Sequence, residues 1–276
     1  MTGPVLAIEG LSAALAGRDG APLLHAISLA VAAGEVHGLV GMSGAGKSMI
    51  GRAVLGILPR AVRITGGSIR VLGQDLVGLP ERARRRVGRH LALIPQDPLS
   101  ALNPARRIAA QMTDVMRLRL GVTRAEAAAR ALGLLQEVRI RDPESVLRRY
   151  PHELSGGMRQ RVLIAAAFAC EPRLIVADEP TTALDVTVQK TILRLIRDLQ
   201  RLHGTAILFV THDLGVVAKL CNTVSVLQHG RIVEQAPVAE IVLRPRHPYT
   251  RALFAASPRY DRPPAMLPPE LAGSPA

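Results

Sequence analysis

Residues 41 to 48 read Gly-Met-Ser-Gly-Ala-Gly-Lys-Ser, and their surroundings leave few folds open to the chain. Upstream, Glu35 to Val40 is a short apolar strand; downstream, Met49 to Leu58 is helical in pattern and ends at Pro59. Glycines let the backbone of such a loop curl until successive N–H groups aim at one anion. A helix opening at Lys47 adds the positive end of its dipole. Strand, loop and helix together predict a nucleoside-triphosphate site. Gly41, Met42, Ser43, Gly44, Ala45, Gly46 and Met49 are expected around the phosphates, with Lys47 reaching the β- and γ-phosphates and Ser48 holding magnesium.

Composition narrows the class. A chain of 276 residues buries a large core. Apolar residues make up 48% of it, yet the longest uninterrupted apolar run, Val162 to Cys170, falls far short of the roughly 20 residues of a membrane span. Residues 1 to 34 lack a basic start with a cleavable apolar core, and Cys170 and Cys221 have neither metal nor disulfide spacing. A reducing, cytoplasmic setting is therefore expected. The net charge of +13 is spread over arginines and is densest from Arg82 to Arg89. No Phe, Tyr or Trp precedes Tyr150, so that stretch has no ring on which a base would stack. It reads as a solvated helix face, or one turned to acidic lipid or a partner subunit.

Residues 1 to 34 alternate apolar segments with glycine turns, as antiparallel strands do. Gly66 to Leu72 and His90 to Ile94 read as further strands. Residues 105 to 140 turn helical: between 123 and 138 a Thr123 cap is followed by Glu126 at the third helical position and by apolar residues at helical spacing. Strands return at Leu174 to Ala177 and Ile207 to Val210, with a helix from Val188 to Leu202 between them. That order predicts a parallel sheet with helices on both faces. From Pro245 the chain is proline-rich, and its last dozen residues read as a disordered tail.

Asp178 and Glu179 close the apolar strand L-I-V-A, at the edge where parallel sheets bind ligands. One carboxylate suits magnesium held through water; the other suits polarising an attacking water. His212, after another apolar strand, is placed either to touch the γ-phosphate or to serve only as a turn residue. Gln96, in I-P-Q-D-P, is placed to complete a magnesium shell, with the same plain alternative. Leu154-Ser155-Gly156-Gly157-Met158 is a second anion-receptive helix start. Two such starts in one chain require two ligands, or one ligand shared between two chains.

In this order and spacing, the segments resemble the ATP-binding subunits of ABC transporters over roughly residues 4 to 260. The resemblance rests on 41 to 48, the Gln96 loop, L-S-G-G-M-R-Q-R at 154 to 161, L-I-V-A-D-E at 174 to 179, A-L-D at 183 to 185 and His212. It implies an α/β fold: a P-loop NTPase (RecA-like) parallel core, an N-terminal antiparallel β-region and an inserted α-helical subdomain. The ATPase domain would span 1 to 260, with its insert at about 97 to 160, and 261 to 276 would be a proline-rich tail. The resemblance further implies a head-to-tail dimer, each ATP lying between Lys47 of one subunit and Ser155, Gly156 and Gly157 of the other. Glu179 becomes the general base, and Ser48, Asp178 and Gln96 the partners of Mg2+. His212 becomes the γ-phosphate sensor, and Asp185 couples the two sites.

A-D-E-P-T-T-A-L-D-V-T (177 to 187), Q-D-P-L-S-A-L-N-P (96 to 104) and R-H-P-Y-T-R-A-L (246 to 253) resemble more narrowly the peptide and nickel importer branch. That implies a second, non-identical ABC ATPase subunit, two integral membrane permease subunits and, indirectly, a solute-binding protein. The place implied is the cytoplasmic face of a bacterial inner membrane, and no nucleic acid is expected as partner. The last motif also has a plainer reading, a proline turn before a short helix.

Two departures carry consequences. Family members usually stack adenine on an N-terminal aromatic ring; here Leu15 or another aliphatic residue, with His25 as a possible aid, is expected to take that place, which predicts weaker and less base-selective nucleotide binding. The C-terminal cysteine cluster of some peptide-importing relatives is missing, which argues against an iron–sulfur cluster and brings the nickel- or metallophore-type subunits closer. The competing reading is a soluble ABC ATPase acting on nucleic acid or ribosomes. The charge favours it; the lack of a coiled-coil insert, zinc cysteines or a second cassette opposes it. An idle regulatory subunit is opposed by Glu179, His212 and the full L-S-G-G.

Overall fold

The computed structural model describes residues 3–17, 20–181 and 186–256. Asp185 and the tail expected at 261–276 lie outside the described residues. Near the N-terminus, β1 (Leu6–Leu15) and β2 (Pro22–Val31) pair antiparallel, as their alternating pattern predicts. β3 (Val36–Val40) then runs into α1 (Lys47–Leu55). β4 (Val62–Val71) returns beside β1 and is followed by the short β5 (Gln74–Asp75), giving a four-stranded antiparallel sheet in the order β2-β1-β4-β5. The arginine run lies on α2 (Glu81–Gly88), of which only Val87 is buried, so its charges face solvent.

β6 (Leu91–Ile94) precedes the helical region: α3 (Pro98–Ala101), α4 (Ile108–Leu120), α5 (Arg124–Glu137) and α6 (Pro143–Arg148). The cap read from the sequence closes α5: Thr123 Oγ1 accepts the Glu126 N–H at 3.3 Å, and the Glu126 carboxylate accepts the Thr123 N–H at 2.7 Å. Then follow α7 (Gly156–Phe168), β7 (Leu174–Asp178), α8 (Val186–His203), β8 (Ala206–Thr211) and α9 (Leu214–Leu220). β9 (Thr223–Gln228), β10 (Arg231–Pro237), α10 (Val238–Leu243) and α11 (Pro248–Ala256) complete the described chain.

The second sheet has the order β10-β9-β3-β8-β7-β6 and is parallel except at β10, which runs antiparallel to β9. Alternate residues of its central strands enter two cores. Leu174, Val176, Leu208 and Val210 pack with α1 and the antiparallel sheet; Ile175, Ala177, Ile207 and Phe209 pack with α7, α8, α9 and the helical region. Burial on both faces is why these strands read as continuous apolar runs.

Some boundaries differ from the sequence reading. The helix after the loop ends at Leu55 rather than Leu58, because Gly56 takes a left-handed φ of 70° and its N–H turns back to the carbonyls of the last turn. The strand expected from Gly66 begins at Val62, drawn out by pairing with β1. No expectation covered the β9–β10 hairpin. Its two-residue turn, His229 and Gly230, has positive φ at both positions (46° and 70°), a primed turn without the usual Asn-Gly signal.

Candidate active site

The loops after β3, β6, β7 and β8 all leave the sheet at one edge. Val40 pairs with Thr211, Asp178 with Val210 and Ala177 with Ile94, so Gly41, Gln96, Glu179 and His212 emerge side by side. Glycine is dictated inside the phosphate loop. A Cβ at Gly41 would lie 2.2 Å from the Leu227 carbonyl oxygen, and Gly46, which caps α1, has φ +107°. The hairpin turn supports the loop from beneath, the Gly230 N–H donating to the Ala45 carbonyl at 3.0 Å.

Lys47 is buried, 5% exposed, and its Nζ donates to the carbonyls of Gly41 (2.8 Å) and Met42 (3.0 Å). Burial pushes its pKa down, opposed by the charges of Glu179, whose Oε1 is 3.9 Å away, and Asp178. The Ser48 hydroxyl donates to Asp178 Oδ1 at 2.8 Å. Burial raises the Asp178 pKa, and the Ser48 bond works against the rise. Two adjacent oxygen donors, one a carboxylate whose charge burial disfavours, suit a hard dication that restores the charged form. Among the described residues no group of three His, Cys, Asp or Glu side chains is placed to hold a metal alone. Phosphate oxygens and water would have to fill the remaining positions.

Glu179 has φ +47°, a left-handed conformation uncommon outside glycine. Its N–H donates to the Val210 carbonyl at 2.9 Å, and that bond across to β8 holds the strained backbone. The carboxylate lies 3.2 Å from His212 Nδ1. Gln96 is exposed just past β6, level with Glu179 in the sheet, and no hydrogen bond joins it to Asp178 among the described residues.

Ser155, Gly156 and Gly157 stand apart from this cluster. Ser155 caps α7, its Oγ accepting the Met158 N–H at 3.3 Å, and the two glycines form the first helical positions. The cavity there, about 420 Å³, is lined by Ser155, Gly157, Met158, Arg161 and Val188 among others, and by no residue of the phosphate loop. One buried link ties α7 to the carboxylate loop: Gln160 Nε2 donates to the Pro180 carbonyl at 2.7 Å. Leu15 ends β1 and is 41% exposed, and His25 follows Leu24, which packs against Gly46. Sequence reading missed two supports of the loop. One is Gly230. The other is Tyr249 on α11, whose hydroxyl accepts the Met42 N–H at 3.0 Å. The R-H-P-Y motif marked the segment, but nothing local tied it to the loop.

Comparison with known proteins identifies the family. Residues 24–182 match the family model "ABC transporter", and residues 233–275 match "Oligopeptide/dipeptide transporter, C-terminal region". The chain is 46% identical over 271 residues to the probable D,D-dipeptide transport ATP-binding protein DdpD of Escherichia coli (strain K12), covering 97% of this chain and 83% of that one. It is 48% identical over 252 residues to the probable peptide ABC transporter ATP-binding protein y4tR of Sinorhizobium fredii, covering 91% and 75%. Among solved structures, cbiO1 of Clostridium perfringens, part of the transporter complex cbiONQ, superposes with a TM-score of 0.76 at 26% identity, covering 88% and 92%.

Proposed function

The chain belongs to the ABC transporter family as an ATP-binding, ATP-hydrolysing subunit of the peptide and nickel importer branch, and we propose how its site works and what it joins. The observation that carries the reading is the cluster of Lys47, Ser48, Asp178, Glu179 and His212 at one sheet edge, with Ser155 to Gly157 set on another surface. Loop N–H groups and Lys47 bind the phosphates. Ser48 and Asp178, with Gln96, hold Mg2+, which when bound neutralises phosphate charge. Glu179 accepts the proton of the attacking water, and His212, beside it, orients the carboxylate and senses the γ-phosphate. Ser155, Gly156 and Gly157 complete the ATP site of a facing subunit, and Asp185 couples the two sites. Position and electrostatics supply most of the acceleration.

The ATPase unit spans 1–260 with its helical insert at 97–160. It pairs with a second, non-identical ATPase and docks on two permease subunits fed by a solute-binding protein, at the cytoplasmic face of the inner membrane. Among the described residues no helix is long and apolar enough to cross a membrane, which suits a peripheral subunit. The similarity to dipeptide and peptide transport proteins supports short peptides as cargo, ahead of nickel chelates. Nothing in the comparisons favours an ATPase acting on nucleic acid or ribosomes.

A native-membrane pull-down with Glu179→Gln and MgATP tests this. Recovery of two permeases and a different ATPase is expected. Recovery of ribosomes or nucleic acid without membrane proteins would overturn the transport reading.

A further inference from the structure

We infer that Tyr249 is a positioning residue that fixes the first peptide of the phosphate loop and, through it, Lys47. This rests on the reading of residues 41–48 as the ATP site. The peptide joining Gly41 to Met42 is trans, so its C=O and N–H point to opposite sides. Lys47 Nζ donates to the oxygen at 2.8 Å, while the N–H donates to Tyr249 Oη at 3.0 Å across 207 residues of sequence. One peptide unit is thus gripped at both edges, and hydrogen bonds linked through a shared peptide reinforce each other.

The rest of the R-H-P-Y motif places that hydroxyl. Glu234 on β10 accepts the backbone N–H groups of Arg246 (2.7 Å) and His247 (3.0 Å). His247 Nδ1 accepts the Tyr249 N–H at 3.2 Å, and Arg251 Nη1 donates to the Arg246 carbonyl at 2.7 Å. Pro248 begins α11, where a missing N–H costs nothing. The Tyr249 ring is partly buried against the larger core, so ring and hydroxyl serve separable ends. Glu234 and Tyr249 both fall in the segment that matches the oligopeptide transporter C-terminal region, and the loop falls in the ATPase match. The bond joins the two. Without the hydroxyl, Lys47 alone holds the Gly41–Met42 peptide, and when Lys47 turns to the phosphates ATP has to order that peptide on binding.

Tyr249→Phe keeps the ring and removes the bond. In the full chain, backbone hydrogen exchange across 41–48 is expected to accelerate. The ATP dissociation constant should rise roughly two- to tenfold, the worth of one hydrogen bond. The unfolding midpoint and exchange in β6 should stay as in the parent. Glu234→Ala should weaken ATP binding in the same direction and add little to Tyr249→Phe in the double variant, as one linked unit requires. Unchanged loop exchange and unchanged ATP affinity in Tyr249→Phe would overturn the clamp. A parent chain that binds no ATP would instead overturn the reading beneath it, while the exchange measurement still reports on the bond itself.

Discussion

At Gly41 an added Cβ would press to 2.2 Å on a backbone oxygen, whereas at Gly156 it meets nothing within 4 Å and at Gly157 only a Val188 methyl at 3.9 Å. Both segments open helices, but the chain packs one and leaves the other clear. The phosphate loop is braced by Leu227, Gly230 and Tyr249 and is wired to the carboxylates through Lys47 and Ser48. The Ser155 start has its cap, the Arg159 bond to the Leu154 carbonyl and the Gln160 link to Pro180, and no close packing against the glycines themselves. Neither Gly156 nor Gly157 has a positive φ or a close contact to an added Cβ, so nothing in the chain's own packing asks for glycine at these two places. On the proposed function, the need for it comes from outside the chain. A half-site kept open for a ligand presented by a facing subunit has this form.

The sharpest test of that contrast is Glu179→Gln. Turnover by the assembled transporter should fall on the order of 100-fold or more while ATP binding persists, and closed dimers should accumulate. Retained turnover would remove Glu179 as the base. Next come the glycines. Gly157→Ala should leave the melting temperature unchanged or slightly raised and ATP binding to the isolated chain intact, yet depress turnover in the complex. Gly41→Ala should cost about 1–3 kcal/mol of stability through overpacking and weaken binding in the isolated chain as well. Equal effects of the two on folding would erase the distinction.

The strand that presents the loop is anchored at its start by Glu35. Burial opposes its charge, but the nearby His37, whose Nδ1 is 3.6 Å away, and hydrogen bonds from Thr223 Oγ1 and from the Ala32 N–H (2.6 Å) outweigh that and lower its pKa to about 2. The folded pKa lies below the ordinary 4.5, so the stabilisation is full above pH 4.5 and is lost as pH falls towards about 2. Glu35→Gln should therefore lower stability at neutral pH, by about 3 kcal/mol at most, and flatten the acid limb of unfolding across that window. An acid limb unchanged by the substitution would place the acid sensitivity elsewhere.

The smallest effect concerns the base end of the loop's half-site. If the exposed Leu15 is the aliphatic surface that meets adenine, GTP should compete with ATP almost evenly. Leu15→Tyr should tighten ATP binding about fivefold, near the lower end of what base stacking supplies. Strong adenine preference in the parent chain would show that another group reads the base.

Much of this was legible along the chain because the signals are local. The Thr123 cap and Glu126 sit within one helical turn, and the apolar run before Asp178 announces a strand buried on both faces. The loop at 41–48 carries its own strand and helix. Harder to read was whatever needed two distant segments. The β9–β10 hairpin has an undistinguished His-Gly turn, and the early end of α1 turned on the backbone angle of Gly56.

By itself, then, the sequence determined the family, the parallel core, and which side chains stand at the strand ends. It did so because those features depend on spacing within a few residues. Only the tertiary structure decided that Glu179 takes a left-handed backbone bound to Val210, and that Lys47 folds onto the peptide of Gly41. It also decided that a tyrosine 207 residues away grips that same peptide. Such pairings arise when strand register brings remote groups within hydrogen-bond reach, and no local pattern encodes that approach.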